Sequence, residues 1–423
     1  MNTSPDSASH PAEDDAEAVE SPLRNRSFLQ LMLYRIGTIL SYQIVAVTVG
    51  WHVYEVTRDP LSLGLIGLAE VLPFFCVAPF AGYLVDHLPR RKLGMAASSV
   101  LAMTALLLVV VTLRWPFTRG VWPIYAAVAL GGCARAFLGP VYNALFARVL
   151  KRAQFVRGAS LGSVVFQSGL VIGPAIGGVL VGWAGKHAAY GTAAAFAIVA
   201  VLALSRLQVT EPAPVMQRGP IFASIRDGLR FVFGNQIMLG AMSLDMFAVL
   251  FGGAISLAPA FIHDILHYGP EGLGILRAAP AVGAVSAGLY LARRPLQANA
   301  GRIMLVAVVG FGLCIIGFGL SKHFWLSAAF LLGSGLCDGV SVVVRSTILQ
   351  LATPDEMRGR VSSINGIFIG SSNELGAFYA GTMARLLGLV TAVVVGGCVT
   401  IGVATVTARL APRLRRLDLR ELQ

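Results

Sequence analysis

The sequence predicts an all-α integral membrane protein with twelve transmembrane helices in two pseudo-symmetric six-helix bundles, and three observations carry that prediction. Of 423 residues, 56% are hydrophobic and only 13% charged, and the mean hydropathy is +0.73, a balance that no water-soluble domain of this length sustains. Twelve apolar runs are each long enough to cross about 30 Å of hydrocarbon as helix. The longest polar interruption, at about residues 207 to 236, leaves six runs on either side.

Taken in order, residues 1 to 23 hold Asp6, Glu13, Asp14, Asp15, Glu17 and Glu20 and no long apolar segment, which predicts a disordered cytoplasmic tail rather than a signal peptide or folded core. Six runs follow near 28–53, 61–85, 93–113, 122–146, 158–183 and 188–206, giving an N-terminal half over 24–206. The linker at 207–236 opens with Glu211, Pro212 and Pro214. Within it Ile221, Ile225, Leu229 and Val232 share one helical face while Arg226, Asp227 and Arg230 lie elsewhere, which suits a helix resting on the inner membrane surface or else an ordinary linker helix. The second six runs lie near 237–261, 271–292, 302–320, 325–348, 360–384 and 388–408, a C-terminal half over 237–408 followed by a basic cytoplasmic tail at 409–423. Leu150 to Ser163, entering run five, parallels Ala352 to Asn365, entering run eleven, at an offset of 202 residues. Runs four to six and ten to twelve begin at nearly constant separation, so the halves read as internal repeats.

Charge sets the orientation. The net charge of +12 comes in short clusters at the ends of apolar runs, the pattern of membrane-flanking loops and not of a nucleic-acid surface. With the N-terminus inside, cytoplasmic loops and tails hold 23 of the 33 lysines and arginines, outer loops hold six (Arg58, Arg114, Arg119, Lys186, Lys322 and Arg385), and four lie within runs. Both termini are then cytoplasmic, in a bacterial inner membrane if the source is bacterial. Trp51, Trp115, Trp122, Trp183 and Trp325 all fall at the outer ends, where the amphipathic indole prefers the headgroup level. Cys76, Cys133, Cys314, Cys337 and Cys398 lie inside apolar runs with no CxxC pair, which argues against disulfides and a thiolate metal site.

Two stretches stand out. Between runs two and three, Gly82-Tyr83-Leu84-Val85-Asp86-His87-Leu88-Pro89-Arg90-Arg91-Lys92 forms a tight basic turn: Gly82 allows a close helix approach, Asp86 puts a carboxylate at the helix end, and three cations stand just outside the bilayer. In run five, Gly158 and Gly162, then Gly169, Gly173 and Gly177, recur every four residues and leave a side-chain-free stripe for another helix, while Pro174 removes a backbone hydrogen bond and bends the run. Ordinary small-residue packing explains that stripe equally well.

These residues resemble the major facilitator superfamily. Gly82, Leu84, Asp86, Arg90 and Arg91 match its signature after span two, Gly-x-Leu-x-Asp followed by Arg-[Arg/Lys]. Gly169-x-x-x-Gly173-Pro174-x-x-Gly177-Gly178 matches the span-five signature of its exporters, with Ser160 where a small residue is expected one segment earlier. Asp245 within Leu244-Asp245-Met246-Phe247, and Thr353-Pro354-Asp355-Glu356-Met357-Arg358-Gly359-Arg360 before run eleven, look like its enterobactin-exporter branch of drug and siderophore efflux proteins. The resemblance covers about residues 24 to 410; the first signature has no clear copy in the second half, where Gly288, Arg293 and Arg294 lack the acid.

The resemblance implies a secondary transporter with spans 1, 4, 7 and 10 around a central cavity. It implies that the glycine-proline stretch seals the outer side between halves. It also implies that Asp86 acts as a cytoplasmic latch, resting near the N-terminus of run eleven where free amides and Arg358 or Arg360 favour a negative charge; a solvated loop that only sets topology is the plainer reading. Charges within spans are costly and mark function, ion pairs between helices being the common alternative. The candidates for the cavity or for proton coupling are Arg35, Arg135, Asp245, Asp338, Arg345 and Glu374. Arg135 and Asp338 fall at similar depth and are expected to pair across the cavity, with Asp245 within reach of Arg345 seven residues beyond Asp338. Glu70 matches Glu374 in depth, but 16 residues separate it from Asp86, about 160° around a helix, so Glu374 ranks above it as the proton site.

No G-x-x-x-x-G-K-[ST] binds ATP, and no nucleophile stands beside a base in a defined motif, so neither an enzyme nor a bound cofactor is expected. His263, Asp264 and His267 have the spacing of a metal pair without a clear third ligand, so no metal is expected either. The expected function is proton-coupled export of an amphipathic small molecule, a drug-like compound or siderophore, by a monomer in the lipid bilayer. An importer of a small metabolite and a non-transporting sensor or scaffold are the alternatives.

Overall fold

A chain in hydrocarbon has no water to satisfy its amides, so each apolar run closes its hydrogen bonds on itself as helix. The computed structural model describes residues 21–113, 120–151, 154–209, 221–294, 299–354 and 357–418, and it contains no strand among them. The long helices are α1 (Arg26–Thr57), α2 (Pro60–His87), α3 (Arg90–Thr112), α4 (Trp122–Val149) and α5 (Phe155–Arg206), then the linker helix α6 (Ile221–Gly234). After α7 (Gln236–Phe251) and the short α8 (Ala258–Phe261) come α9 (Pro270–Arg293), α10 (Ala300–Leu320), α11 (Phe324–Ala352), α12 (Arg358–Leu387), α13 (Leu389–Leu410) and the short α14 (Pro412–Arg415). Residues 1–20, Trp115, the Glu211–Pro214 opening of the linker and Glu356 lie outside the described residues.

Among the described residues, ten segments are long and apolar enough to cross a membrane. One of them, Arg157–Arg206, has 50 residues, about 75 Å of helix at 1.5 Å per residue, more than twice the hydrocarbon thickness. It is two spans, broken at Gly185, whose φ of 81° and ψ of 171° lie where a side chain is strained. Gly388, 203 residues later, breaks α12 from α13 with φ 86° and ψ 156°. The 30-residue α12 completes the twelve; its hydropathy is lowered by Asn365, Asn373, Glu374 and Arg385.

The repeat is plain in the helix starts. Arg26, Pro60 and Arg90 recur as Gln236, Pro270 and Ala300, each 210 residues on, and Trp122 and Phe155 recur as Phe324 and Arg358, 202 and 203 on. The same device begins both halves: the Asn25 side chain accepts the Ser27 and Phe28 amides at 2.9 and 3.3 Å, and Asn235 accepts those of Ile237 and Met238 at 3.0 and 3.2 Å. Packing repeats too, since α2 against α4 corresponds to α9 against α11, and α3 against α4 to α10 against α11.

One sequence expectation is corrected here. Run seven is not one helix: α7 stops at Phe251, the chain unwinds at Gly252 and Gly253, and it continues through α8 and a wide π turn, Ile262–Leu266. Side-chain-free Gly253 lies against the α12 backbone, 3.2 Å from Gly376 by a Cβ built on it. In α6, Val232 is fully buried and Leu229 packs beside it, against Met238 and Met242 of α7 and Val361 and Ile364 of α12, while Phe233 is exposed.

The side of the bilayer where Asn25 bonds Val149 and Gln236 bonds Leu410 is the terminal side, and its opposite the distal side. The halves touch through α2 with α12 and α5 with α9, and the named contacts lie toward the distal end. A Cβ on Gly64 would stand 3.0 to 3.1 Å from Ala377 and Phe378, and one on Gly178 2.5 Å from Gly274. Toward the terminal end, Gly82 on α2, Gly366 on α12 and Gly288 on α9 meet nothing within 4 Å among the described residues. Gly82 therefore makes no close approach here, because the terminal ends of the halves have parted.

Candidate functional site

Glycines one turn before two charged residues build the site. A Cβ on Gly67 would stand 2.7 Å from the Glu374 carbonyl, and one on Gly132 2.5 Å from that of Glu70. Their absence lets α2 lie directly on α12 and α4 directly on α2, so Glu70, three residues after Gly67, and Arg135, three after Gly132, converge in mid-membrane. Arg135 Nη1 donates to Glu70 Oε1 at 2.5 Å, to Glu374 Oε1 at 2.8 Å and to the Tyr42 hydroxyl at 3.0 Å, and Tyr42 in turn donates to Glu70 at 2.9 Å. The guanidinium lies 4.9 Å from the Tyr42 ring and 5.7 Å from that of Phe74. Arg277 on α9 interacts electrostatically with the same three groups. One network thus joins α1, α2 and α4 of one half to α9 and α12 of the other, and with two arginines against two glutamates it is neutral when all four are charged.

This overturns the expected Arg135–Asp338 pair. The two are symmetry mates, 203 residues apart, but the shorter reach from Arg135 is to the carboxylates on α2 and α12 that the glycines bring in. Glu70, ranked below Glu374 by its angle to Asp86, is an equal member, because what orients it is α4 and not the turn at the end of its own helix. The sequence signal was the pair of Gly-x-x-charged spacings.

Asp245 does pair with Arg345, and both are buried. Its N-terminal counterpart is a different chemistry at the same place: Arg35 lies 3.7 Å from the Tyr142 ring and 5.3 Å from that of Phe166, with its Nε buried and unpartnered. Arg35 and Asp245 are 210 residues apart, Tyr142 and Arg345 203, so the α1–α4 and α7–α11 pairs repeat with a cation on an aromatic in one half and an ion pair in the other. Asp338 lines a small cavity beside Asp245.

The glycine stripe of run five serves three helices. Gly158 and Gly162 face Leu150 and Tyr142; Gly169, Gly173 and Gly177 face Ile39, Gln43 and Ile44 of α1. Gly178 meets Gly274, and a Cβ on Gly274 would stand 2.8 Å from the carbonyl of Pro174, so the glycine-proline stretch forms the α5–α9 contact between the halves.

At the basic turn, Arg91 donates to the Ser205 carbonyl at 2.5 Å and Arg90 Nε to that of Val85 at 3.2 Å, both within one half. The side chains of Asp86, Arg358 and Arg360 lie outside the described residues.

A second polar cluster, which the sequence reading did not assemble, closes the distal end. Tyr54 donates to Asp264 and Arg58 to His263, both across the halves, and Arg385 Nη1 stands 3.3 Å from Asp59 Oδ2. Arg58 only donates, so the facing Nε2 of His263 accepts, leaving Nδ1–H for Asp264 Oδ1 at 2.6 Å. The left-handed residues Arg58 (φ 53°) and His267 (φ 48°) flank it. Trp122, Trp183 and Trp325 are exposed at the same end.

A family model described as transmembrane secretion effector matches residues 18–422. The enterobactin exporter EntS of Citrobacter koseri is 25% identical over 406 residues, 92% of this chain and 93% of the relative, and that of Shigella boydii serotype 18 is 25% identical over 377, or 85% and 86%. Among solved structures, a POT family transporter in complex with 5-aminolevulinic acid superposes with a TM-score of 0.73 at 10% identity over 92% of this chain and 97% of the other. The nucleoside transporter NupG gives 0.69 at 14% over 91% and 98%. The arrangement of the helices is thus shared architecture: the protein is a multi-pass membrane transporter of the major facilitator fold, and the chain belongs to the transmembrane secretion effector family.

Proposed function

We propose that the protein exports an amphipathic small molecule, drug-like or siderophore-like, in exchange for protons, and that the Glu70–Arg135–Glu374 network is the coupling element. The lysine and arginine distribution supports a cytoplasmic terminal side, so the conformation described here faces inward, in an inner membrane if the source is bacterial. The observation that carries the reading is that one guanidinium holds a carboxylate from each half at 2.5 and 2.8 Å.

Substrate arriving from the terminal side competes for Arg135 and weakens its bond to Glu374, so the halves open at their distal ends; there Glu374 takes up a proton as the substrate leaves, and release of that proton to the terminal side after distal closure re-forms the bond, one proton entering as one substrate leaves. In the outward-facing state the parted terminal ends close, bringing Asp86 toward the first turn of α12, where Arg358 and Arg360 stand, as the latch. The cavity offers a substrate the Arg35 cation between two aromatic faces, suited to an acidic or phenolic group on an apolar body. That fits the exporters among the relatives, which are named for enterobactin. The two halves of one chain supply both carboxylates and the guanidinium that joins them, which supports a monomer as the working unit.

The test is flux in proteoliposomes with an imposed proton gradient, using a catechol siderophore and a hydrophobic dye. The gradient should drive export-direction movement of one of them, and Glu374→Gln should abolish driven flux while preserving gradient-independent exchange. Gradient-insensitive flux, or flux only in the uptake direction, overturns the proposal.

A further inference from the structure

A cavity between α7 and α11 lies away from the coupling network. It has about 10 Å³ of free room, the space of one water-sized particle, and its polar lining is Asp245, Asp338 and Ser341. Asp338, Ser341 and Arg345 recur at three, then four residues on α11 and so share one face, with Asp245 opposite on α7. Asp245 spends one oxygen, Oδ2, on Arg345. Ser341 is 2% exposed and its hydroxyl has no hydrogen-bond partner among the described residues, although a buried serine is ordinarily satisfied by a carbonyl of its own helix. Asp338 likewise has no cation partner among them.

The charges give the ligand. Arg345 cancels Asp245 and leaves Asp338 as a net charge of −1 beside an unpaired hydroxyl and the second Asp245 oxygen. A proton alone would need no cavity. A divalent ion would leave a buried positive charge, and a potassium ion, as large as a water, takes more oxygens at longer distances than this lining offers. We propose that this cavity binds a single sodium ion, held by the Asp338 carboxylate, the Ser341 hydroxyl and the free Asp245 oxygen, and that the ion ties α7 to α11 within the C-terminal half. The site is separate from Glu70, Arg135 and Glu374, so it stands or falls independently of proton-coupled export.

Purified full-length protein in detergent, held at one alkaline pH and one ionic strength, tests it. Replacing choline by sodium should raise the thermal unfolding midpoint saturably, lithium should substitute and potassium should not, and radioactive sodium should bind with one site per chain. Ser341→Ala should weaken half-saturation at least tenfold and Asp338→Asn should abolish it, while Glu374→Gln leaves it unchanged. If Asp338→Asn does not fold, Ser341→Ala decides alone. Equal midpoints in sodium, potassium and choline, or stabilisation that follows pH and not sodium, would show a water or a proton in the cavity and overturn the proposal.

Discussion

At the scale of single residues, Arg135 is the one on which most depends, because among the described residues it alone donates to both glutamates. Removing one partner of a fully buried ion pair costs about 3–5 kcal/mol. The Arg135 side chain keeps 30% exposure, which lowers the expectation for Arg135→Gln to about 2 kcal/mol. Adding Glu70→Gln should recover part of that loss by removing the stranded charge, whereas Arg135→Lys should sit between, since an ammonium lacks the guanidinium's fork. The readout is the unfolding midpoint of detergent-solubilised protein; equal midpoints for Arg135→Gln with and without Glu70→Gln would mean that the carboxylates do not feel one another. These residues were legible in the sequence as costly charges within apolar runs, but their pairing was not. Depth along a run can be counted, and that placed Arg135 level with Asp338. Which helix comes nearest is decided by backbone approach at Gly67 and Gly132, which no count of depth contains.

At the scale of elements, the helix count, order and repeat were readable because hydrocarbon permits little except helix, and the Gln236–Phe251 break was missed because a Gly252-Gly253 pair in an apolar run is also ordinary small-residue packing. The α5–α9 seam makes the distinction testable on one helix. A methyl group at Gly274 would press on the Pro174 carbonyl at 2.8 Å and the Ala175 Cα at 3.1 Å, both backbone, so the helices themselves must move. At Gly288, five residues short of the other end of α9, nothing described lies within 4 Å. Gly274→Ala should therefore widen the α5–α9 distance at the distal end and lower the unfolding midpoint. Gly288→Ala should leave that distance alone and be neutral or slightly stabilising, the usual gain of alanine over glycine in a helix. Spin labels at the distal ends of α5 and α9 report the distance; an unchanged distribution in Gly274→Ala would mean that the seam is slack.

At the scale of the whole molecule, the asymmetry between the two ends is what a single chain must reverse to transport. The sequence pointed to the terminal turn at Gly82 as the gate, but in this conformation the fastened end is the distal one, by packing at Gly178 and Gly274 and by the Tyr54–Asp264, Arg58–His263 and Asp59–Arg385 contacts. These residues are far apart in sequence and individually ordinary, so only the fold assembles them. Half-exposed ion pairs contribute about 0.2–1 kcal/mol each, too little to hold the halves shut alone but enough to bias a balanced equilibrium. Asp59→Asn breaks one contact and Tyr54→Phe another. Being on separate partners, their effects should add to about 1 kcal/mol, roughly a fivefold shift toward the distal-open state. Distance distributions between labels on the distal ends of α2 and α12 should show a growing long component in the order wild type, single variants, double variant, with the unfolding midpoint little changed. A double variant indistinguishable from wild type would place the whole of the distal closure in the glycine seams, and the polar ring would then be a consequence of closure and not a cause of it.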